Sequence, residues 1–338
     1  MKTPFNGRLA AFALGALLVS GNAVAQGKGE TVRVVDAPGI GNMPLRVAIR
    51  KGYCEKYGIK CESKIIATGP LAVQTLLAGD VEVVFTASEV FIFGAARGAD
   101  LKILPFNGVR TPIFFIAAGS HLETPNARKG YPASMQDLKG KKVGVTARGS
   151  GAEQQLVDML KGAGMSAADV IIVAVGAPNT AFPALSNKQV DAVVTFEPFG
   201  AMCQVTKACS VLVDPRAGDG PKEITAMGPA AVTNAVRGDW ALKNAHVIEA
   251  YGRALADANA FVNNLANLAE LAQISQSFFK FEGPQGDLIT NVALRIAIEP
   301  KSYGGDLDAK AFQSIAGYLN RTGQMPQLFD TAKMIYKR

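Results

Sequence analysis

The chain has 338 residues and a formal net charge of +7 at neutral pH. Hydrophobic residues make up 49% of it and charged residues 19%, so it can bury substantial cores, and its length suggests about two domains. The charge is mild and evenly spread, and the longest basic cluster, at residues 139–142, is typical of a solvated turn before a strand. These features argue against a nucleic-acid partner.

The N-terminal segment has the pattern of a secretory leader. Lys2 and Arg8 precede an apolar run over residues 9–19, and a set of small residues ends at Ala25. A membrane anchor needs about 20 apolar residues, which is almost twice this run. No cysteine precedes Cys54, so the residue that a bacterial lipoprotein carries at its cleavage site is missing. We therefore expect cleavage after Ala25 and a soluble product in the periplasm.

The first predicted strand, residues 32–36, runs into a glycine loop that opens onto an amphipathic helix beginning near Pro44. Such a loop leaves backbone N–H groups pointing into an open cleft, where they can hold a small polar or anionic ligand. A strand at residues 64–67, a helix at 71–78 and a strand at 81–85 follow. These are the strand–loop–helix units of a parallel sheet.

The same order of elements returns further along the chain, with strands at 142–146, 170–175 and 190–194. Residues 81–86 and 190–195 align as valine, acid, valine or alanine, valine, an apolar residue and threonine. Each of the two segments follows a short helix and a polar turn. The repetition predicts two lobes of like construction.

Two segments can connect these lobes. The apolar run at 113–118 can carry the chain out of the first lobe, and the stretch at 224–236 can bring it back. The remainder reads as helices, the longest over residues 240–268. We expect these helices to wrap the first lobe, because a separate helical domain would need a linker that the sequence lacks.

The fold predicted from these elements is α/β. Residues 26–112 and 222–338 form the first lobe, which includes the C-terminal helices, and residues 113–221 form the second. Ligands of parallel sheets bind outside the carboxyl ends of the strands, so two such lobes facing each other make a cleft that can close.

The four cysteines form two close pairs, Cys54 with Cys61 and Cys203 with Cys209. An oxidising compartment makes disulfides plausible, and three connectivities are possible. The two local bridges are favoured because residues 56–58 read as a helix end that turns back into a strand. A zinc site fits poorly, since these spacings come without nearby histidine, and no metal is expected.

Short motifs occur in a fixed order along the chain. They are Met43-Pro44-Leu45, Lys51-Gly52-Tyr53, Leu77-Ala78-Gly79-Asp80-Val81, Leu138-Lys139-Gly140-Lys141-Lys142 and Phe196-Glu197-Pro198. With them the chain resembles the periplasmic solute-binding proteins of nitrate, sulfonate and taurine ABC importers, in the NMT1/THI5-like superfamily. The resemblance implies a type II periplasmic-binding-protein fold, in which each lobe is a mostly parallel sheet flanked by helices. It also implies a monomer, without a cofactor, that delivers its ligand to an ABC permease and its ATPase in the inner membrane.

Two departures from the family pattern bear on the ligand. The family often has tryptophan before the Glu-Pro pair, where this chain has Phe196, and a longer glycine run where this chain has only Thr68-Gly69-Pro70. Taurine, nitrate or an alkylsulfonate is therefore not carried over, and the expectation is a small anionic organic solute of sulfonate or carboxylate type.

The candidate ligand-binding residues of the first lobe each fall in a loop at the end of a predicted strand. They are Asn42, Met43, Thr68, Thr86 and Ser88. The alternative role is helix capping, because Asn42 and Ser88 sit where an N-cap residue would. Arg110, just before the first crossover, either reaches the cleft or pairs at the surface.

The candidates of the second lobe are Arg148, Gly149, Ser150, Thr195 and Glu197. The glycine loop frees the backbone to approach a ligand, and the Arg148 guanidinium can add a charge-assisted hydrogen bond. The alternative is a surface arginine paired with an acid of the following helix. Glu197 either accepts hydrogen bonds from a ligand or has a structural role, which we prefer because a carboxylate repels an anion.

An enzyme needs an acid, a base or a nucleophile, and this chain offers only two histidines, His121 and His246. Neither neighbours a plausible metal set or a serine elbow, so we predict a binding protein and no enzyme. Two alternatives stay open. One is a thiamine-pyrimidine-precursor binding protein or a related synthase, and the other is an exported ligand-sensing partner of a receptor.

Overall fold

The computed structural model describes residue 1 and residues 27–106, 108–281 and 283–337. Apart from residue 1, the predicted leader over residues 1–25 and its cleavage site lie outside this range. No helix within it is both long and apolar enough to cross a membrane.

The strands of the described residues are named in chain order. They are β1 (Thr31–Asp36), β2 (Lys60–Ile65), β3 (Val83–Ala87), β4 (Leu101–Ile103), β5 (Gly108–Val109), β6 (Phe115–Gly119), β7 (Lys142–Val145), β8 (Ile171–Ala174), β9 (Ala192–Thr195), β10 (Cys209–Val213), β11 (Val232–Arg237) and β12 (Tyr303–Gly305).

The α-helices are named in the same way. They are α1 (Met43–Arg50), α2 (Tyr53–Lys56), α3 (Gly69–Ala78), α4 (Ser88–Ala96), α5 (Gly151–Gly162), α6 (Pro178–Ser186), α7 (Phe199–Thr206), α8 (Lys222–Thr225), α9 (Gly238–Lys243), α10 (Ala245–Val262), α11 (Leu268–Phe278), α12 (Gly286–Ile298) and α13 (Ala309–Arg321).

Two five-stranded sheets share one topology. The first sheet has the order β2-β1-β3-β11-β4, and the second, read from the corresponding edge, has the order β8-β7-β9-β6-β10. In each sheet the first three strands are parallel and the fourth runs antiparallel to the third. This match confirms two lobes of like construction, and we call them the first lobe and the second lobe after their sheets. The predicted lobe boundaries after residues 112 and 221 stay a prediction.

The central strand of each sheet, β3 or β9, is buried because helices cover both faces of the sheet. All four residues of β9 are buried, as are Val83, Val84 and Phe85 of β3. An apolar run without alternation is the pattern expected for such strands. The repeated valine-rich segment of the sequence therefore forms the centre of each lobe.

The C-terminal helices pack on the first lobe. Tyr251 of α10, Leu271 of α11 and Leu294 of α12 share a core with Val34 of β1. Helix α13 packs against α4, where Tyr318 Oη donates to Glu89 Oε1 at 2.7 Å, in a core that also holds residues of the second lobe. Its last residue, Arg321, accepts a hydrogen bond at its carbonyl from Lys161 Nζ of α5 at 2.6 Å. Helix α13 therefore packs on the first lobe as expected, and it also contacts the second lobe.

The predicted helix over residues 240–268 is broken in the structure. Helix α9 ends at Lys243 and α10 begins at Ala245, with Asn244 between them at φ −126° and ψ 32°. The Asn244 Nδ2 donates to the carbonyl of Trp240 at 2.8 Å and so satisfies a carbonyl at the end of α9. Side chains of this kind compete with the helical hydrogen bonds, which the apolar periodicity does not reveal.

Both predicted local disulfides are present. Cys54 is bonded to Cys61, with their Cα atoms 5.9 Å apart, and Cys203 is bonded to Cys209, with their Cα atoms 4.7 Å apart. Each bridge joins a short helix to the strand that follows it, α2 to β2 and α7 to β10. The predicted turn at residues 56–58 brings the first pair together.

Candidate functional site

A cavity of about 140 Å³ lies between the two lobes. It is found at the carboxyl ends of strands from both sheets, where ligands of such folds bind. Most of its wall is aliphatic or aromatic, from Val35, Ile40, Ile66, Phe85, Val90, Val109, Ile113, Phe114, Phe196, Val232 and Ile296. The polar side chains on the wall are Thr68, Thr86, Thr111, Thr146, Ser150, Glu197, Arg216, Ser302 and Tyr303.

The N-terminal ends of helices α3, α4 and α5 meet at this cavity. Gly69 of α3 and Gly151 of α5 both line it, and so does Ala87, which precedes α4. The helices approach closely. A Cβ atom added to Gly69 would lie 2.8 Å from Thr86 Oγ1, and one added to Gly151 would lie 2.6 Å from Ala87 Cβ. Three partial positive charges thus converge on one end of the cavity, which favours an anionic group there.

The loop between β1 and α1 is held from behind by a buried ion pair. Arg46 and Asp36 are both fully buried, and Arg46 Nε lies 2.7 Å from Asp36 Oδ2. The same guanidinium donates to the carbonyl of Ala37 at 3.0 Å and to that of Gly39. Tyr303 Oη donates to the carbonyl of Ile40 at 2.7 Å. These bonds satisfy the loop carbonyls and fix this part of the cavity wall.

Arg216 brings a positive charge to the cavity. It follows β10, and its guanidinium donates to both Asp214 carboxylate oxygens, at 2.7 and 2.8 Å, and to Glu197 Oε1 at 2.6 Å. The guanidinium carbon lies 4.1 Å from the centre of the Phe115 ring. Burial lowers the pKa of Arg216, but the hydrogen bonds and charges of Asp214 and Glu197 outweigh it and raise the pKa overall. These bonds use three of the five guanidinium N–H groups.

Glu197 has a structural role as well as a place on the cavity wall. Its Oε1 accepts from Arg216, and its Oε2 accepts from the backbone N–H of Ala201 at 3.1 Å, in the first turn of α7. Glu197 and Arg216 also line a more open cleft of about 640 Å³ on their other side. This ion pair therefore belongs to the wall between the cavity and the outer cleft.

Four of the predicted side chains line the cavity: Thr68, Thr86, Ser150 and Glu197. Ser150 also caps α5, because its Oγ accepts from the backbone N–H of Glu153. Ser150 therefore lies at the N-terminus of α5, where the three helices converge.

Four other predicted residues are buried beside the cavity without lining it. Ser88 Oγ is 3.0 Å from Thr233 Oγ1. The Asn42 side chain lies 3.5 Å from the carbonyl of Val35, and Met43 and Thr195 belong to the interior. Their positions behind the wall follow from the helix and strand ends that they occupy.

Arg148, Gly149 and Arg110 lie away from the cavity wall. The Arg148 side chain is 65% exposed, and its Nη2 lies 2.9 Å from Glu153 Oε1, so it is the surface arginine of the alternative interpretation. Gly149 donates its N–H to the same Glu153 carboxylate. Arg110 is exposed, and its Nε donates to the carbonyl of Gly304 at 2.6 Å.

The sequence interpretation missed Arg216. The available signal was that Arg216 follows the carboxyl end of a strand by a few residues, as the other candidates do. Within the described ranges, no cluster of three histidine, cysteine, aspartate or glutamate side chains has the arrangement of a metal site.

A family model of the NMT1-like family matches residues 26–276 of the chain. The chain belongs to the NMT1-like family. Among curated proteins it is similar to one of Brucella abortus (strain 2308) whose name describes it only as a binding protein. The two are 32% identical over 152 residues, which is 45% of this chain and 43% of the relative, so the chain spans less than half the length of that relative.

Solved structures show the NMT1-like chain to have the fold of periplasmic binding proteins. The alkanesulfonate-binding protein SsuA from Xanthomonas axonopodis pv. citri, bound to MOPS, superposes with a TM-score of 0.72 at 17% identity, over 90% of this chain and 98% of that one. The periplasmic nitrate-binding protein NrtA from Synechocystis PCC 6803 superposes with a TM-score of 0.68 at 15% identity, over 90% and 84% of the two chains. The two-lobed α/β fold predicted from the sequence is thereby confirmed.

Proposed function

We propose that this protein captures a small organic anion between its lobes in the periplasm and delivers it to an ABC importer. The observation that carries the proposal is the cavity between the lobes, with an apolar wall and three helix N-termini at one end. Membership of a family of binding proteins supports solute binding as the activity. The proposal includes a monomer, an inner-membrane permease and its ATPase.

The electrostatics of the cavity support an anionic head group. The N-termini of α3, α4 and α5 favour negative charge, and Thr68, Thr86 and Ser150 add hydroxyl groups at the same end. Arg216 adds a guanidinium to the wall, although the two carboxylates of Glu197 and Asp214 outweigh its single positive charge. The helix ends therefore contribute more to anion binding than any one side chain.

The size and wall of the cavity support a hydrocarbon body for the solute. An engineered apolar cavity of about 150 Å³ holds benzene, so a volume of about 140 Å³ suits a body of that size. The wall offers it Phe85, Phe114 and aliphatic side chains. A carboxylate or sulfonate with a short alkyl chain or one ring satisfies both requirements.

One observation favours a second candidate, a pyrimidine of the kind used as a thiamine precursor. Phe114 and Phe196 both line the cavity and meet edge to face, with their ring centres 6.1 Å apart. Glu197 lines it too and can accept hydrogen bonds from an exocyclic amino group. A ring of this type is neutral, so its binding would not depend on the partial positive charges of the helix N-termini.

Native mass spectrometry of the purified protein, followed by denaturation and identification of the released molecule, tests both candidates. Calorimetry then compares butane-1-sulfonate, butanoate and a 4-aminopyrimidine. We expect micromolar binding of an anion, about 8 kcal/mol. Chemical turnover of a bound molecule by the pure protein would contradict the binding function.

A pair of isosteric variants connects this binding to the cavity. Thr86→Val removes a hydroxyl from the wall, and we expect it to weaken anion binding by about fivefold to tenfold, the value of one hydrogen bond. Thr75→Val removes a hydroxyl on α3 that bonds only its own helix, and affinity should not change. Equal affinities of the two variants would exclude this cavity as the binding site.

A further inference from the structure

A carboxyl group is buried directly behind the end of the cavity where the helices converge. Glu89 is the second residue of α4, and its side chain is fully buried. Its Oε2 lies 3.2 Å from the position that a Cβ atom of Gly151 would occupy. Gly151 lines the cavity, as do Ala87 and Val90 on either side of Glu89.

Glu89 joins three helices through one of its oxygens. Its Oε1 accepts from Gln155 Nε2 of α5 and from Tyr318 Oη of α13, both at 2.7 Å. Its Oε2 makes no hydrogen bond to another described residue. Both donors are neutral, so this arrangement accepts either a carboxylate or a carboxylic acid whose proton lies on Oε2.

The charges around Glu89 do not include a partner for an ionised carboxylate. On α5 the facing ionisable group is Asp158, and on α13 it is Tyr318. Arg321 of α13, which pairs with Glu223 of α8, acts on Asp158. Within the described part of the chain, no salt bridge reaches Glu89. An ionised Glu89 is therefore neutralised only by the N-termini of α4 and α5, the same positive ends that face the cavity.

We propose that Glu89 controls the affinity of the cavity for anions by holding a proton whenever an anion is bound. This inference rests on the proposed anionic solute. Two negative charges cannot share one set of helix ends without strong repulsion, as in sites where paired carboxylates share a single proton. Either Glu89 is ionised and the cavity repels the anion, or Glu89 is a neutral acid and the anion binds.

The ionisation behaviour of Glu89 is consistent with this role. Burial raises the pKa of its carboxyl, and the charge of Asp158 adds to the rise, while the donors Gln155 and Tyr318 oppose it. The neutral form is thus favoured at low pH. Anion affinity should therefore be constant below the pKa of Glu89 in the free protein and should fall as the pH rises through it.

The test is calorimetry of butane-1-sulfonate, which stays ionised, at several values from about pH 5 to about pH 9. Titration in two buffers of different ionisation enthalpy counts the protons taken up on binding. We expect proton uptake by the wild type, and a dissociation constant that rises by up to about tenfold per pH unit above the pKa of Glu89. Glu89→Gln, which mimics the neutral acid, should show neither the uptake nor the rise.

Two further variants make the measurement specific. Glu123→Gln changes an exposed carboxyl and should match the wild type. Tyr318→Phe removes a donor that favours the carboxylate, so the fall in affinity should move to higher pH. If Glu89→Gln does not fold, the Tyr318→Phe result decides whether Glu89 controls the pH dependence of anion affinity.

The outcomes separate this inference from the proposed function. Equal proton uptake and equal pH dependence in wild type and Glu89→Gln would overturn the role of Glu89 while leaving anion binding intact. Absence of binding at every pH would count against the anionic solute itself. In that case the infrared carboxyl band that Glu89→Gln removes decides the inference: a band that appears and disappears between about pH 5 and about pH 9 supports it, and a Glu89 that keeps one protonation state throughout overturns it.

Discussion

Gly39 brings the loop after β1 against the main chain of the second lobe. Its φ is +123°, a conformation that L side chains rarely adopt. A Cβ atom there would lie 2.8 Å from the carbonyl oxygen of Glu197 and 3.2 Å from Pro198 Cδ. Contact between the lobes at this edge of the cavity therefore depends on the absence of a side chain at Gly39.

Gly39→Ala should therefore weaken solute binding by about tenfold or more, because the added methyl group keeps the lobes apart. The matched control is Gly29→Ala, since Gly29 also has a positive φ, +93°, but no described residue lies within 4 Å of its Cβ position. Both variants carry about 1 kcal/mol of backbone strain. Calorimetry with the co-purified solute measures the difference, and equal affinities would show that the contact at Gly39 plays no part in closure.

Arg216 and Arg148 have opposite environments, and their variants should behave differently. Arg216→Lys keeps the charge but loses the planar fork that holds Asp214 and Glu197 together, so we expect affinity for an anion to fall about tenfold. Arg148→Ala removes an exposed ion pair with Glu153 and should change affinity less than about twofold. Calorimetry measures the affinity of both variants. A larger loss of affinity in Arg148→Ala than in Arg216→Lys would indicate that Arg148 belongs to the binding site.

At the scale of elements, helix ends determine both the site and the disulfides. Helices α3, α4 and α5 begin at the cavity, each directly after a strand or a short loop. Helices α2 and α7 end beside the strands β2 and β10, and a disulfide joins each pair. In both cases the chain turns within a few residues, so the partners are close in sequence as well as in space.

Each disulfide closes a short loop, and the chain-entropy model gives about 2 to 3 kcal/mol of stabilisation for such a loop. The double variant Cys203→Ser with Cys209→Ser should lose about that much free energy of unfolding, measured by urea titration. A reductant should lower the stability of the wild type more than that of this variant, which keeps only the Cys54–Cys61 bridge. Four alkylatable thiols in the non-reduced wild type would contradict both bridges.

At the scale of the whole molecule, a buried acid between the lobes makes stability depend on pH. Asp158 of α5 is 8% exposed, and its Oδ2 has no hydrogen-bond partner among the described residues. Burial and the nearby charge of Glu223 raise the pKa of Asp158 to about 6, while Arg321 and Lys161 oppose the rise. The folded protein therefore holds this proton at a pH where the unfolded chain has released it.

The sign of the effect follows from proton counting. Between the unfolded pKa of about 4 and the folded pKa of about 6, the native state binds more protons, so stability falls as the pH rises through this range. Asp158→Asn should remove this part of the dependence and stabilise the protein at neutral pH. Chemical unfolding across this range tests it against Asp306→Asn, an exposed control. Unchanged slopes in Asp158→Asn would show that Asp158 is ionised in the folded protein.

The success of sequence interpretation varied with the range of the interactions involved. The positions of Thr68, Thr86 and Ser150 on the cavity wall could be predicted because each follows the end of a strand, where the cavity of this fold lies. The sequence did not show which way the Arg148 side chain points, because its direction depends on the ion pair with Glu153. Arg216 was missed because its position depends on contacts with Glu197 and Phe115, which are distant from it in the sequence.

The sequence by itself determined the two-lobed α/β fold, the local disulfides and the end of each sheet at which the cavity lies. These features follow from apolar periodicity, glycine positions and short chain separations, all of which are local. Only the tertiary structure decided that α13 packs in a core shared by both lobes, that Arg216 and not Arg148 reaches the cavity, and that Glu89 lies behind the helix N-termini. Each of these depends on which distant groups meet, and no local pattern in the sequence carries that information.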